Sequence, residues 1–362
     1  MFICDRCFHL LEAEAPRCPR CGLARPPGGF DREAYLGQII LGRYELTERI
    51  GAGATGSVYL ARRVRPADDG TWPPRVAVKL LHSRFGRDRA LRLRFRREAL
   101  AASQIDSPHV ARTLAYGETD DGAIFLVMEE AAGEGLDTLL APNRALSVQS
   151  AVAIARDVAV ALEAAHRVGI IHRDLKPSNV MITASPAGFP RATVLDFGYA
   201  RILSPERGAV KLTEAGIVIG TPTYMSPEQT GRETEVDERA DLYALGALLY
   251  RMLVGRPPFE GETIMDLILM HRDSAPPPFA VAAPARHLPA ALEQVVMRLL
   301  AKDPSARFKK ATDVREALRP FVGLPRETSS PFGPRAPTRR RLLWIALVLA
   351  GVAFCAALLW WG

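Results

Sequence analysis

Cysteine is scarce in this sequence. The 362 residues hold five, four of them within the first 21 positions and the fifth, Cys355, in an apolar tail. That distribution cannot staple a chain of this size, so a disulfide framework is excluded. Lysine is also sparse: six of the 47 basic residues are Lys. This bias reads as genome composition rather than as a binding surface. With 40 acidic residues the net charge is only +7. The N-terminus, MFICDRCFHLLEAEAP, lacks the basic start and apolar stretch of a secretory signal. No internal repeat occurs at any period. Apolar side chain, by contrast, is plentiful: 48% of residues are hydrophobic against 24% charged. There is enough to bury a large core, which excludes a disordered chain.

Composition divides the chain. Residues 1–24 carry the cysteines, and residues 25–42, with Pro26, Pro27, Gly28 and Gly29, form a connector. Residues 43–322 form the large globular part. Residues 323–341, rich in Pro, Ser and Arg, read as a flexible linker. The last stretch, 342–361, is LLWIALVLAGVAFCAALLWW, without a charge. As a helix it would reach ~30 Å, the hydrocarbon thickness of a bilayer. Trp344 stands near one end and Trp360 and Trp361 at the other, while Arg339, Arg340 and Arg341 precede it. Tryptophans at both ends and arginines on one side predict a single-pass helix with the preceding chain on the cytoplasmic side of the membrane. Only Gly362 follows, so no folded unit is expected beyond it.

The globular part begins with strand patterns at Tyr44–Ile50 and Ser57–Arg62, flanking a glycine-rich turn, and at Arg75–Leu81. An amphipathic pattern follows from Arg87 to Gln104, then a strand at Ala123–Glu129. Helical patterns dominate from Val148 to Gly255, and few strands are expected after Asp196. A β-rich front and an α-rich back predict two lobes with a cleft between them.

The turn Ile50-Gly51-Ala52-Gly53-Ala54-Thr55-Gly56-Ser57-Val58 has the spacing G-x-G-x-x-G-x-V. Glycines let backbone approach phosphate oxygens. A dinucleotide fold would need a helix after the third glycine; Ser57-Val58-Tyr59-Leu60 predicts a second strand instead. Lys79 lies inside the otherwise apolar strand VAVKLL. A buried amine needs a partner, and Glu98 in the following helix pattern is available. The strongest element is Ile171-His172-Arg173-Asp174-Leu175-Lys176-Pro177-Ser178-Asn179, followed 17 residues later by Asp196-Phe197-Gly198. It supplies a carboxylate, a cation and an amide oxygen on one loop, then a second carboxylate. Magnesium takes oxygen ligands, few from protein and the rest from phosphate and water. Asn179 and Asp196 meet that need, Asp174 can orient or deprotonate a hydroxyl, and Lys176 can neutralise a transferring phosphoryl group.

These residues carry a resemblance. From about residue 43 to 322 the chain resembles the eukaryotic-like (Hanks-type) bacterial Ser/Thr protein kinases, whose motifs recur here in order and at compatible spacing. The resemblance implies an α+β, two-lobed protein kinase fold, with a β-rich lobe over 43–130 and an α-rich lobe over 131–322. It implies ATP with Mg2+ (or Mn2+), with Asp174 as base, Lys176 beside it, Asn179 and Asp196 on the metal, and Lys79 paired with Glu98. Ile50, Gly51, Gly53, Gly56, Val58, Ala77, Lys79, Met128, Glu129, Ala131 and Met181 would line the nucleotide site. For Ala77 and Met181, plain core packing is an equal reading. Ser226-Pro227-Glu228 resembles the usual A-P-E with Ser for Ala, and Glu228 would pair with Arg307. Asp241 looks like the aspartate that braces the catalytic loop. Lys176 points to Ser/Thr acceptors, and Arg173 to control by activation-segment phosphorylation, with Thr213 before Thr221 and Thr223. RPADDGTWPP, between the second and third strands, is expected to bulge from the small lobe.

Cys4-x2-Cys7-x10-Cys18-x2-Cys21 pairs two CxxC knuckles, the spacing of a tetrahedral thiolate site. A segment of this length cannot bury a stable core, so structural Zn2+ would supply its folding energy. A disulfide or iron–sulfur reading ranks behind zinc. All four ligand positions are filled, leaving partner docking or autoregulation as uses. The expected partners are protein substrates, the membrane, a protein at the zinc ribbon and a transient second copy for autophosphorylation. Nucleic acid is not expected: the Arg84–Arg97 cluster reads as a solvated helix face. The rivals are a pseudokinase scaffold, against which intact Lys79, Asp174, Asn179 and Asp196 argue, and a small-molecule kinase of similar fold.

Overall fold

The structure, a computed structural model, describes residues 2–3, 10–11, 15–19, 22, 24–25, 31–32, 35–53, 56–65, 72–81, 89–120, 122–141, 144–184, 188–197, 222–230 and 236–322. Cys4, Cys7, Cys21, Gly198, Thr213, Thr221 and the apolar stretch 342–361 lie outside the described residues. Among the described residues no helix is long and apolar enough to cross a membrane.

Strands β1 (Phe2–Ile3), β2 (Leu10–Leu11) and β3 (Asp31–Arg32) pair in the order β2-β1-β3. The front lobe is a six-stranded antiparallel sheet. Its strands are β4 (Ile39–Ile40), β5 (Tyr44–Gly53), β6 (Gly56–Arg63), β7 (Arg75–Leu81), β8 (Thr113–Glu118) and β9 (Ile124–Glu129), ordered β4-β5-β6-β7-β9-β8. Side chains alternate across a strand, and here both faces are buried. Val76, Val78 and Leu80 of β7 join Phe125 and Val127 of β9 in one cluster with Tyr44 and Tyr59. Leu81 joins Ile124, Leu126 and Met128 on the other face, beneath Leu91, Phe95 and Ala99 of helix α1 (Arg89–Ala102). Lys79 shares the register of this second face, opposite Leu126, so the alternation that builds the core also aims its amine at the cleft.

Residues 66–71 of the insertion after β6 lie outside the described residues. Its far end is tied down: Trp72 packs 6.1 Å from the Tyr44 ring, Arg43 lies over Trp72 at 4.9 Å, and the Tyr44 hydroxyl donates to Pro73 O at 2.7 Å. An aromatic ring with a cation over its face is reason enough for the segment to return to the sheet.

The back lobe contains α2 (Leu136–Leu139), α3 (Val148–Arg167), α4 (Pro227–Thr230), α5 (Arg239–Val254), α6 (Ile264–Asp273), α7 (Phe279–Ala282), α8 (Ala290–Leu299) and α9 (Ala311–Leu318). A small sheet of β10 (Glu134–Gly135), β11 (Val180–Ala184) and β12 (Pro190–Val194), in that order, lies within the back lobe's stretch of chain. Helix α3 starts on Ser147, whose hydroxyl accepts from Ser150 N, and stops at Gly169, φ 77°, the left-handed residue that commonly ends helices. Every residue of α5 from Ala240 to Val254 is buried. A helix apolar on all faces belongs in a core, and each buried leucine contributes about 1.5–3 kcal/mol. A Cβ on Gly246 would sit 2.6 Å from Leu299 Cβ, so glycine there sets how closely α5 and α8 approach.

Candidate active site

Across the cleft, Lys79 Nζ lies 2.6 Å from Asp196 Oδ2, with both side chains largely covered. Burial alone would raise the Asp196 carboxyl. The charge and hydrogen bond of Lys79, with Lys176 adding, outweigh it and hold the carboxyl below the usual range. The Asp196 partner of Lys79 is one that spacing did not indicate. Glu98 stands half-buried on α1.

The loop between α3 and β11 brings the other expected residues together. Lys176 Nζ donates to Asp174 Oδ2 at 2.7 Å. The Asn179 amide donates to Asp174 O at 2.8 Å, from the first turn of a short 3-10 helix, Pro177–Asn179. The proline at its start favours that turn. Asn179 N and O are also used: N bonds Lys176 O, and O accepts from Leu195 N at 2.9 Å. This last bond ties the loop to the residue preceding Asp196.

His172 is a fully buried brace. Its Nε2 is 2.9 Å from Leu195 O, and a carbonyl can only accept, so Nε2 carries the proton. Its Nδ1 then accepts from Asp174 N at 3.3 Å. The ring meets Phe197 edge-on at 4.7 Å. One imidazole thus links Asp174 to the Leu195–Phe197 strand end.

Beneath the loop, Asp241 of α5 accepts three hydrogen bonds: from His172 N at 2.8 Å, Arg173 N at 2.8 Å and His166 Nε2 at 2.7 Å. Burial would raise this carboxyl, but the His166 bond and charge, with the Arg173 N–H, lower it. Arg173 has φ 64°, a left-handed conformation costly for a residue with a Cβ. Its surroundings over-determine it: Asp241 holds its N–H, and Gln229 Nε2 donates to its carbonyl at 2.8 Å. Gln229 and His166 are positioning residues that sequence reasoning missed. The motif spacing contains no signal for either, because both act from other helices.

Glu228 and Arg307 form a bidentate pair, 2.7 and 2.8 Å, with side chains 5% and 0% exposed. The remaining Arg307 donors reach Ala301 O, Arg239 O and Lys302 O. Helix α4 is thereby fastened to the base of the lobe.

Among the residues expected to line the nucleotide, Ala77 pairs with Met128, and Val58 with Lys79, in the strand register. Gly135 pairs with Met181 on the lower wall. Met128 is buried among the front-lobe residues beside Ala77; Val58, Glu129, Ala131 and Met181 are half-buried and Ile50 is exposed. The glycines differ. A Cβ on Gly56 would fall 2.0 Å from Leu80 O, whereas one on Gly51 would make an ordinary 3.8 Å contact with Val58. Gly56 is therefore required by the neighbouring strand as well as by any phosphate.

The arrangement matches a known family. The protein kinase domain model fits residues 44–318. This chain belongs to the protein kinase family. The kinase domain is similar to serine/threonine-protein kinase pkn3 of Myxococcus xanthus, 35% identical over 318 residues, covering 86% of this chain and 57% of that protein. It is likewise similar to pkn2 of the same organism, 39% over 280 residues (77% and 32%). PknB of Mycobacterium tuberculosis is 38% identical over 282 residues (76% and 42%). The chain thus spans less than two thirds of each relative's length. Among solved structures, the PknI kinase domain of Mycobacterium tuberculosis superimposes with TM-score 0.59 at 28% identity, over 79% of this chain and 98% of that one. The two-lobed kinase fold is common to both.

The cleft's oxygen donors suit a hard divalent cation. The Asn179 NH2 is spent on Asp174, so its Oδ1 would be the atom to hold a cation, and Asp196 is held as a carboxylate. One carboxylate and one amide oxygen, completed by phosphate and water, is a normal magnesium set. Among the described residues no group of three or more His, Cys, Asp or Glu is placed to hold a metal. Three of the four N-terminal cysteines lie outside those residues. Cys18 is described and buried.

Proposed function

We propose that this chain is a serine/threonine protein kinase, transferring the γ-phosphoryl group of ATP to hydroxyls on proteins. The observation that carries this reading is the convergence of Asp174, Lys176 and Asn179 on one loop with the Lys79–Asp196 pair across the cleft. Asp174 orients the acceptor hydroxyl and takes its proton as the oxygen attacks phosphorus. Lys176, already donating to Asp174, offers its ammonium to the transferring group. Lys79, which Glu98 would anchor as a second acceptor, positions the α- and β-phosphates. Gly51, Gly53 and Gly56 bring backbone to the phosphates. Ile50, Val58, Ala77, Met128 and Met181 enclose the adenine, and the Glu129–Ala131 backbone faces its edge. Asn179 and Asp196 would hold Mg2+ or Mn2+, whose charge offsets that of the phosphates. The test is transfer of label from ATP to the full chain. Signal should appear on Ser or Thr and vanish in Asp174→Ala. Undiminished signal in purified Asp174→Ala would overturn the assignment. Mapping the sites tests autophosphorylation, with Thr213 the first expectation, and a dependence of rate on protein concentration tests the transient dimer.

The same reading includes an anchor and a metal module. The uncharged run 342–361 behind Arg339–Arg341 supports a single inner-membrane helix with the kinase domain on the cytoplasmic side. Recovery of the full chain in the soluble fraction without detergent would contradict it. A structural zinc held by Cys4, Cys7, Cys18 and Cys21 is supported by the turn at Cys18. Gly22 N donates to Cys18 O at 2.9 Å with Gly22 at φ 72°, and Arg17 bridges Ala24. Metal analysis of the purified protein checks it; less than half an equivalent of zinc with thiols intact would refute it. A protein docking on this module is the use that the reading assigns.

A further inference from the structure

A cavity of about 560 Å³ opens behind the back lobe, between α3, the β11–β12 hairpin and α9. None of the residues assigned to the nucleotide site lines it. Its wall bears three guanidinium groups, Arg156, Arg191 and Arg315, against one carboxylate, Asp157. That carboxylate is engaged inward: its Oδ2 accepts from Ala192 N at 2.9 Å and lies 3.5 Å from His109 Nδ1. Arg315 pairs with Glu163 at 3.1 Å, and Arg191 reaches Pro108 O at 3.3 Å. The Nε of Arg156 is buried and, among the described residues, meets no acceptor. With three guanidinium groups against one carboxylate that is already engaged, the wall selects an anionic ligand. Two apolar residues rim the cavity, Phe189 at 37% and Val322 at 42% exposure.

We propose that this pocket docks an acidic peptide segment of the kinase's protein substrates, its carboxylates on Arg156, Arg191 and Arg315 and an apolar residue between Phe189 and Val322. Guanidinium–carboxylate pairs supply orientation as well as attraction, and peptide carboxylates meet the charge where a basic or neutral segment does not. The partner's identity as a substrate rests on the kinase reading; the docking itself does not. Strand β12 leads from Pro190 at the pocket to Val194, two residues before Asp196. Its five residues span four steps of ~3.3 Å, so Pro190 and Val194 stand about 13 Å apart. A docked segment is therefore expected about four or more residues from the acceptor.

The experiment uses the full chain in detergent and a fluorescein-labelled peptide of alternating Glu and Asp around a central Leu-Phe. A Lys-substituted counterpart and inorganic phosphate serve as comparisons. Polarisation should report binding that weakens at least about tenfold in Arg191→Glu and as salt rises from about 50 to about 300 mM. The Lys peptide should not bind. Arg156→Gln should weaken binding too, and exposed Arg191 supplies the test if that variant folds poorly. Asp174→Ala must bind the peptide as well as wild type, which separates failure of docking from failure of the kinase assignment. Fusing the acidic segment to a Ser/Thr acceptor peptide through a spacer of about ten residues should lower KM without changing kcat; a spacer of about two residues should not. Equal binding by wild type and Arg191→Glu, no binding by the acidic peptide, or its full displacement by equimolar inorganic phosphate would overturn the proposal.

Discussion

Removing Glu228 should unfold the kinase domain far more readily than its single carboxylate suggests. Arg307 is wholly enclosed, and its guanidinium meets both Glu228 oxygens at 2.7 and 2.8 Å. In Glu228→Ala the three carbonyls on Ala301, Arg239 and Lys302 remain, but they are neutral, and the buried charge loses its counter-charge. Breaking such a pair from one side costs about 3–5 kcal/mol. For a domain of this size each kcal/mol lowers Tm by roughly 2–4 °C, so a fall of the order of 10 °C is expected. Thermal and urea unfolding followed by tryptophan fluorescence would measure it. A double variant, Glu228→Leu with Arg307→Met, should lose less than the two single variants summed, with a coupling of about 2 kcal/mol or more. Activity should fall as well, because α4 carries Gln229, the clamp on Arg173 O. A Glu228→Ala protein within about 0.5 kcal/mol of wild type would refute the reasoning. The pair would then behave like an exposed one.

Three further outcomes are expected. Asp174→Asn should keep the fold and lower the phosphotransfer rate by about 10²–10⁴-fold, since it removes the proton acceptor while sparing the loop; steady-state kinetics with labelled ATP decide it. Asp241 has a carboxyl lowered in the folded state. Its stabilising contribution is therefore present above the ordinary carboxylate value of about 4 and is lost as pH falls through the lower folded value. Melting curves between pH 7 and pH 3 should accordingly show a shallower acid decline in Asp241→Asn, and an unchanged slope would count against it. Gly56→Ala should cost about 1–3 kcal/mol through its clash with Leu80 O and raise KM for ATP. Gly51→Ala should leave Tm nearly unchanged, and equal Tm losses in the two would contradict the geometry.

Much of this site is readable in the linear chain because its parts are local. Asp174, Lys176 and Asn179 lie within six residues, so their spacing alone places them on one loop. Lys79 is conspicuous because a lone amine interrupts an apolar strand. The strand–glycine–strand reading also held, although β5 and β6 continue to Gly53 and from Gly56, beyond the pattern's ends. Strand β8 escaped notice, since Thr113–Glu118 is mostly half-buried and carries little apolar alternation. The end of the insertion at Trp72 reads as loop in the linear chain, and only the packing of Tyr44 and Arg43 shows what receives it.

Sequence by itself determined the residue types that the chemistry needs, the two-lobed division, and the periodicities that place Lys79 on the cleft face. Those depend on neighbours a few positions apart, where helix and strand geometry is fixed. Tertiary structure decided the partners. That Lys79 meets Asp196 across 117 positions, that His166 and Gln229 brace the loop from distant helices, and that three arginines converge on one rear pocket are facts of packing. No local pattern encodes them, because a hydrogen bond between distant segments is set by where the core carries them.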